Sequence, residues 1–259
     1  MSGQIIDVNA SLSRWPLRRL AWDEPAALVA ELRGLGITQA WCGSFDALLH
    51  KDIEGVNARL AEACAASDGF LLPFGAVNPM LPDWEEDLRR CAELYQMPGI
   101  RLHPNYHGYT LEQPVLAEVL RQATARKLLV QLTVTLEDER MMHPLLRVPP
   151  VDCAPLPGVL TSIPDAQVLL LNAVRTVPRD LLRRLAVEHG VYCEIATVEG
   201  LGGVANLLED VPLEQVLFGS HAPLFYPVAA VLKLKESALA EAQLAAVTMD
   251  NARRLLNPQ

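Results

Sequence analysis

A single (β/α)8 TIM barrel is the fold this chain predicts, and three observations carry the prediction. Short apolar runs alternate with helical patterns along the whole chain, as a parallel sheet covered by helices requires. Eight such units fit into 259 residues, the size such a barrel needs. The apolar strand bodies end in polar residues, and barrels of this kind carry their sites at the C-terminal ends of the strands. An open doubly wound sheet is the alternative. The chain has no GxGxxG turn after Asn9, which weakens the dinucleotide-binding form of that fold.

Residues 5–9 (IIDVN) form the first strand, and the loop that follows carries Arg14, Trp15, Arg18 and Arg19. Asp23 caps a helix with Pro25 in its first turn, and Gly34 and Gly36 end it. Strand two is 39–43, followed by an amphipathic helix at 52–66. Strand three, 71–77, leaves through Asn78-Pro79, and a helix capped by Asp83 leads to strand four at 100–103. A helix at 113–126 and strand five at 128–134 follow. The next connection holds Pro144, Pro149, Pro150, Pro155 and Pro157, so a regular helix is not expected over most of it. Connections this long act as lids. The segment 137–157 is therefore expected to cover the mouth and bring His143 toward it. A short helix near 158–162 closes it. Strands at 167–172, 191–195 and 216–219 alternate with helices at 178–189 and 201–208, and helices near 228–239 and 241–256 finish the chain. No composition break or low-complexity tract appears, so residues 1–259 read as one domain.

Composition narrows the partners. Hydrophobic residues make up 51% of the chain and charged residues 20%, which fits a well-filled core and not a disordered chain. The net charge is -9, and nucleic acid binding calls for a basic footprint instead. Five cysteines without a CxxC pair argue against a structural zinc site or a disulfide framework and fit a reducing cytoplasm. No apolar run reaches the ~18–20 residues of a membrane helix, and the start MSGQIIDV lacks the pattern of a signal peptide. A small-molecule substrate is the expected partner, with neither nucleic acid nor membrane. A homo-oligomer is compatible with the sequence.

The stretch 99–109, GIRLHPNYHGY, concentrates the chemistry. Strand alternation places Arg101 and His103 on one face, where an apolar core would leave both without partners. A polar strand end at the surface is the plainer reading. Similar ends recur, however: Asp7, Asn9 and Ser11 on strand one, Gln131 and Thr133 on strand five, Asn172 on strand six, Glu194 on strand seven and His221 after strand eight. Imidazoles titrate near neutrality and suit proton transfer. His103 and His107 have an H-x3-H spacing, but Pro104 argues against a shared helical face. Glu139 and His143 pair only if their segment is one helical turn. Arg14 and its neighbours Arg18 and Arg19 could receive a carboxylate bidentately.

These residues carry a resemblance. IIDVN, VNP at 77–79, GIRLHP at 99–104, VLFGSHAP at 216–223 and DNARRLL at 250–256 make the chain similar to the amidohydrolase superfamily, in its branch of amidohydrolase-related metal-dependent hydrolases and decarboxylases. The resemblance implies a TIM barrel with one or two divalent metals. Its ligands would be a His-x-His pair after strand one, a His after strands five and six, and an Asp after strand eight. This chain has Asn9-Ala10-Ser11, Thr133, Asn172 and His221 at those places. Hydroxyls and amides are poor zinc ligands, so no metal cofactor is expected. A new divalent site built from His103, His221 and lid carboxylates is the runner-up.

Two readings follow. In one, the chain is a hydrolase or lyase of the amidohydrolase type that works without the usual metal on a small polar, carboxylate-bearing substrate. His221, His103 and His143 are then the catalytic candidates, and Asn9, Ser11, Arg14, Arg101, Thr133 and Asn172 bind substrate. In the other, it is a non-catalytic barrel that binds a small molecule or a partner.

Overall fold

In the computed structural model, which describes residues 4–256, eight parallel strands lie in the order of the sequence, β1 to β8. They are Ile5–Leu12, Ile37–Ser44, Leu71–Ala76, Gly99–Leu102, Leu129–Thr133, Val168–Leu171, Tyr192–Glu194 and Val216–Leu217. The amide of Val8 donates to Phe218 O and that of Ser11 to Ala222 O, which joins β1 to β8 and makes the sheet a barrel. The expected domain ends, residues 1–3 and 257–259, lie outside the described residues.

Helices run between the strands: α1 (Pro25–Gly34), α2 (Ile53–Ala65), α3 (Trp84–Glu93), α4 (Pro104–His107), α5 (Pro114–Ala125), α6 (Leu156–Thr161), α7 (Arg179–His189) and α8 (Gly203–Leu207). After β8 come α9 (Pro227–Glu236), α10 (Glu241–Ala245), a π-helical turn at Ala246–Asp250 and α11 (Asn251–Leu256). The outward side chains of the strands pack against the helices in one continuous core that includes Leu28, Leu60, Leu88, Leu120, Leu170 and Leu185. All five cysteines are buried, none in a disulfide.

The barrel interior is apolar only in its lower half. Ile6, Val8, Trp41, Phe74, Leu129, Leu169 and Leu217 fill it, and Leu255 of α11 packs with them. Trp41 and Phe74 stack with ring centres 5.2 Å apart. Above this plug the inward residues are polar, and a bulge in β1 creates part of that change. Asp7 pairs with Ala40 but Ala10 with Cys42, so β1 spends one residue more than β2. The extra residue shifts the alternation: Val8 joins the apolar plug, while Asn9 meets Asn172, just past β6, and Glu194 of β7.

Several local expectations differ from the structure. Asp23 does not cap α1, whose N-cap is Glu24, because its carboxylate bonds Arg19, and Asp83 stands at the N-cap of α3 without a side-chain bond to it. β1 continues to Leu12 because its later residues keep pairing with Cys42, Gly43 and Ser44. The expected helix at 241–256 is interrupted by the π turn, where Val247 O accepts the amide of Phe218 and supplies the short β8 with a backbone partner. Pro104 opens α4 instead of breaking a helix. Proline is favoured at the first helical position, where its missing N–H costs nothing.

Candidate functional site

The polar strand ends converge on one buried cluster at the C-terminal mouth. Asn9 Nδ2 donates to Asn172 Oδ1 at 2.9 Å and to Glu194 Oε1 at 3.2 Å. The Asn172 amide N–H donates to the same Glu194 oxygen at 2.6 Å, and Ala196 N to the other. Asn172 Nδ2 donates to Thr135 O at 2.8 Å and lies 3.4 Å from the His221 ring. Burial raises the Glu194 pKa, against the hydrogen bonds that favour its charge.

His221 is 1% exposed. Its Nε2 lies 2.9 Å from Leu136 O. A carbonyl only accepts, so this nitrogen carries the proton and Nδ1 keeps the lone pair. Phe225 covers the ring edge-on, 4.9 Å between centres. Burial lowers the pKa to about 4, which leaves the imidazole neutral at physiological pH. The backbones of Asn172 and His221 both lie in the left-handed region, at φ 57° and 58°. Asn tolerates it; for His it costs on the order of 1–2 kcal/mol. Such strain concentrates at functional positions.

Arg101 and Ser11 sit beside this cluster. The guanidinium is 3% exposed and donates to Gln131, Ala10 O and Ser11 Oγ at 2.8, 2.9 and 3.1 Å. Its fit to the barrel wall leaves little of it for a ligand. His103 and Thr133 line an enclosed cavity of about 10 Å³ beneath Pro149 and Val151, room for about one water. His103 Nδ1 and Thr133 Oγ1 are buried without a protein partner. The His103 and His107 rings meet edge-on at 5.8 Å. α4 thus brings them together, contrary to the sequence expectation, but His107 Nε2 is held by Ala47 O at 2.9 Å.

His143 and Arg14 do not join the cluster. His143 is exposed, and its Nδ1 accepts the amide of Leu145. Its segment folds as turns, so Asp138 rather than Glu139 makes the local ion pair, with Arg140. Arg14 is exposed and paired with Glu24 at 2.7 Å. Arg19 pairs with Asp23, and Arg18 with the buried Glu137. The segment 136–150 still crosses the mouth. Leu136 packs with Trp15, Phe45 and Leu48, Asn105 donates to Pro149 O, and Val151 N donates to Val134 O.

Above His221 opens a cleft of about 360 Å³, lined by Thr135, Glu137, Arg140, Arg175, Thr197 and Phe225 among others. Thr197 Oγ1 is buried without a partner. Arg140 and Arg175 both bond Asp138. None of Arg140, Arg175, Thr197 or Phe225 stands out in the sequence, because loop conformation and not strand alternation places them.

A barrel with a polar cluster and a cleft at its carboxyl mouth defines the class of small-molecule sites on (β/α)8 scaffolds. The amidohydrolase family model matches residues 16–257, and the chain belongs to the amidohydrolase family. The match begins after β1, the strand of Asn9 and Ser11. Solved structures of similar fold include IDCase from Metarhizium anisopliae in its apo form, with TM-score 0.77 and 14% identity over 98% of this chain and 97% of that one. The 5-carboxyvanillate decarboxylase of Sphingomonas paucimobilis gives 0.74 and 14% over 98% of each chain. The 2,6-dihydroxybenzoate decarboxylase from Rhizobium gives 0.72 and 15% over 99% of each. At these identities the likeness is one of fold. Comparison with curated proteins finds no match.

The resemblance implies a divalent metal, and the residues present do not fit one. Asn9 presents its amide N–H groups, Asn172 Oδ1 is taken by Asn9, and Ser11 Oγ accepts from a guanidinium. Among the described residues no group of three or more His, Cys, Asp or Glu side chains could hold a metal ion. At the inherited positions stand one imidazole, hydroxyls and amides, and both oxygens of Glu194, the carboxylate of the cluster, are occupied by Asn9, Asn172 N and Ala196 N, which is a poor donor set for zinc.

Proposed function

We propose that this barrel takes a small carboxylate-bearing molecule into its mouth cleft and acts on it by hydrolysis or decarboxylation, with His221 as the proton-transfer group and without the usual divalent metal. The observation that carries this reading is the state of His221. Its ring is oriented by Leu136 O, its Nδ1 keeps a lone pair, and it stays neutral at physiological pH. The free Nδ1 lone pair is positioned to accept a proton. Burial holds the pKa at about 4, so in this closed state His221 is a weaker base than the near-neutral imidazole the sequence leads one to expect, and base work calls for the cover over it to open. Arg140 and Arg175 line the cleft together with Glu137, Asp138 and Glu139 and both bond Asp138, so a substrate carboxylate would take the place of Asp138 on these guanidinium groups. Two of the structural neighbours are, by name, decarboxylases of aromatic carboxylates, which supports the substrate class. Contact with His221 requires Leu136 and Phe225 to move aside.

That covering favours a second reading, a barrel that binds a small molecule without converting it. One experiment separates the two. Small carboxylates and lactones are screened by thermal shift, and hits are assayed for turnover with wild type and His221→Asn. The enzyme reading expects the variant to bind as wild type does while losing ~10²–10⁴ in rate. Turnover unchanged in the variant removes His221 from the mechanism. Ligands that bind and are never converted by either protein establish the second reading.

A further inference from the structure

We propose that the hollow between the N-terminal ends of α2 and α3 is a binding site for a small aliphatic cation, an ammonium or guanidinium group on a methylene stem, with Asp87 as the carboxylate that receives the charge. The hollow measures about 540 Å³, within the size of small-molecule sites. α2 follows β2 and α3 follows β3, so both helices start on the face of the barrel that carries the mouth, here on its outer wall. Five carboxylates line it, on Asp52, Glu54, Asp83, Glu86 and Asp87, against the two cations of Lys51 and Arg90. Most of the carboxylates are already engaged. Glu86 accepts from Arg89, and from Arg90 Nε at 2.8 Å. Glu54 accepts from Tyr95 Oη at 3.0 Å and faces Arg90 Nη1 at 3.4 Å. Asp52 Oδ1 accepts the amide of Gly55 at 3.0 Å.

Asp87 is different. It is 8% exposed, lines the hollow, and has no hydrogen bond or ion pair among the described residues. It stands on the buried stripe of α3 with Trp84, Leu88 and Cys91, where a charge is costly unless something pairs with it. The preference for acidic residues at a helix N-terminus accounts for Glu85 and Glu86, which stay in reach of water in the same turn, and calls for no buried one. Burial raises the Asp87 pKa to about 6, with Arg90 opposing and the charges of Asp83, Glu54 and Asp52 adding. At neutral pH the carboxylate is therefore mostly charged, with no cation in contact. A metal ion does not suit these groups, since among the described residues no group of three or more His, Cys, Asp or Glu could hold one. Ile53, Leu81 and Pro82 supply an apolar wall, and Ile53 and Leu81 pack with Val56 and Ala76. An apolar wall beside a buried carboxylate matches a cation carried on a hydrocarbon stem, the build of lysine and arginine side chains. The hollow shares no lining residue with the mouth cleft, so it can bind whether or not the barrel converts anything there.

The full chain is titrated by calorimetry at pH 8 and constant ionic strength with the diamine putrescine and with agmatine, which carries an ammonium and a guanidinium on one stem. Butanediol and Mg²⁺ are the controls, a stem without charge and a charge without stem. One saturable site per chain is expected for a cationic probe and none for the controls. Asp87→Asn keeps the shape and removes the charge, and is expected to weaken binding at least about tenfold. Asp83→Asn, on the exposed rim, is expected to weaken it about threefold and supplies the test if Asp87→Asn does not fold. Glu93→Gln makes the same charge change at the far end of α3, outside the hollow, and is expected to leave binding unchanged. No saturable binding of either probe, equal binding of a control, or losses in Asp87→Asn and Asp83→Asn no larger than in Glu93→Gln would overturn the proposal.

Discussion

Asp7 sets burial against hydrogen bonding within one carboxylate. It accepts from Asn9 N and Ser220 N at 3.0 Å each, and from Ser220 Oγ. These bonds favour the charged form, yet burial outweighs them and pushes the pKa up to about 6. The unfolded value is near ~4. Between the two, the folded chain holds a proton that the unfolded chain has released, so stability falls as pH rises through this window. The cost is complete above about pH 6, is absent below ~4, and is on the order of 3 kcal/mol. Asp7→Asn keeps an acceptor for both amides and is expected to remove this slope. Urea denaturation of wild type and variant between pH 4 and pH 7 measures it as a difference, in which the opposite slope of His221 cancels. At this scale strand alternation made the mouth legible. Asn9, Arg101, Thr133, Asn172 and His221 follow from counting along apolar runs. The carbonyl of Leu136 that orients His221, and the left-handed backbones of Asn172 and His221, do not. They depend on where a proline-rich loop lies in space, which no local pattern encodes.

Between elements, one buried side chain does the work of a strand edge. Asn57 of α2 donates to Ala76 O at 2.9 Å and accepts from Ala76 N at 2.7 Å, closing the end of β3 where the ladder stops. Asn57→Ala leaves an unpaired buried N–H and C=O, each worth about 1–3 kcal/mol. A loss of about 2–4 kcal/mol is expected in urea melts, with the urea dependence unchanged. A loss under about 0.5 kcal/mol would mean that water replaces the amide. The strands were legible because a parallel strand buried on both faces is a short apolar run. The helix of Pro104 was not, since the same proline is read as a stop or a start depending on the preceding residue's conformation. The bulge in β1 was also silent, because it depends on register against β2, and register belongs to two strands at once.

The whole molecule is one closed ring of strands; Arg101 ties β4 to β1 across it, and Asp7 joins β1 to the chain just past the neighbouring β8. Unfolding is expected as a single transition, with far-ultraviolet circular dichroism and the fluorescence of Trp41 and the other tryptophans superimposing. Separate transitions would show that part of the ring opens alone. The buried cysteines supply a finer instrument. Burial pushes the Cys64, Cys91 and Cys153 thiols up to about 12 and raises Cys42 and Cys193 in the same direction. At neutral pH these are closed and almost wholly uncharged, and alkylating reagents attack the thiolate. Labelling can therefore proceed only as fast as the chain opens. Cys153 sits just beyond the segment that crosses the mouth, whereas Cys42 and Cys193 belong to the barrel strands. If the crossing segment lifts by itself, as access to His221 requires, Cys153 will be alkylated first and the other two much later, on the time of global unfolding. Mass spectrometry of a timed alkylation would then read the opening of the mouth as a clock, with no ligand needed.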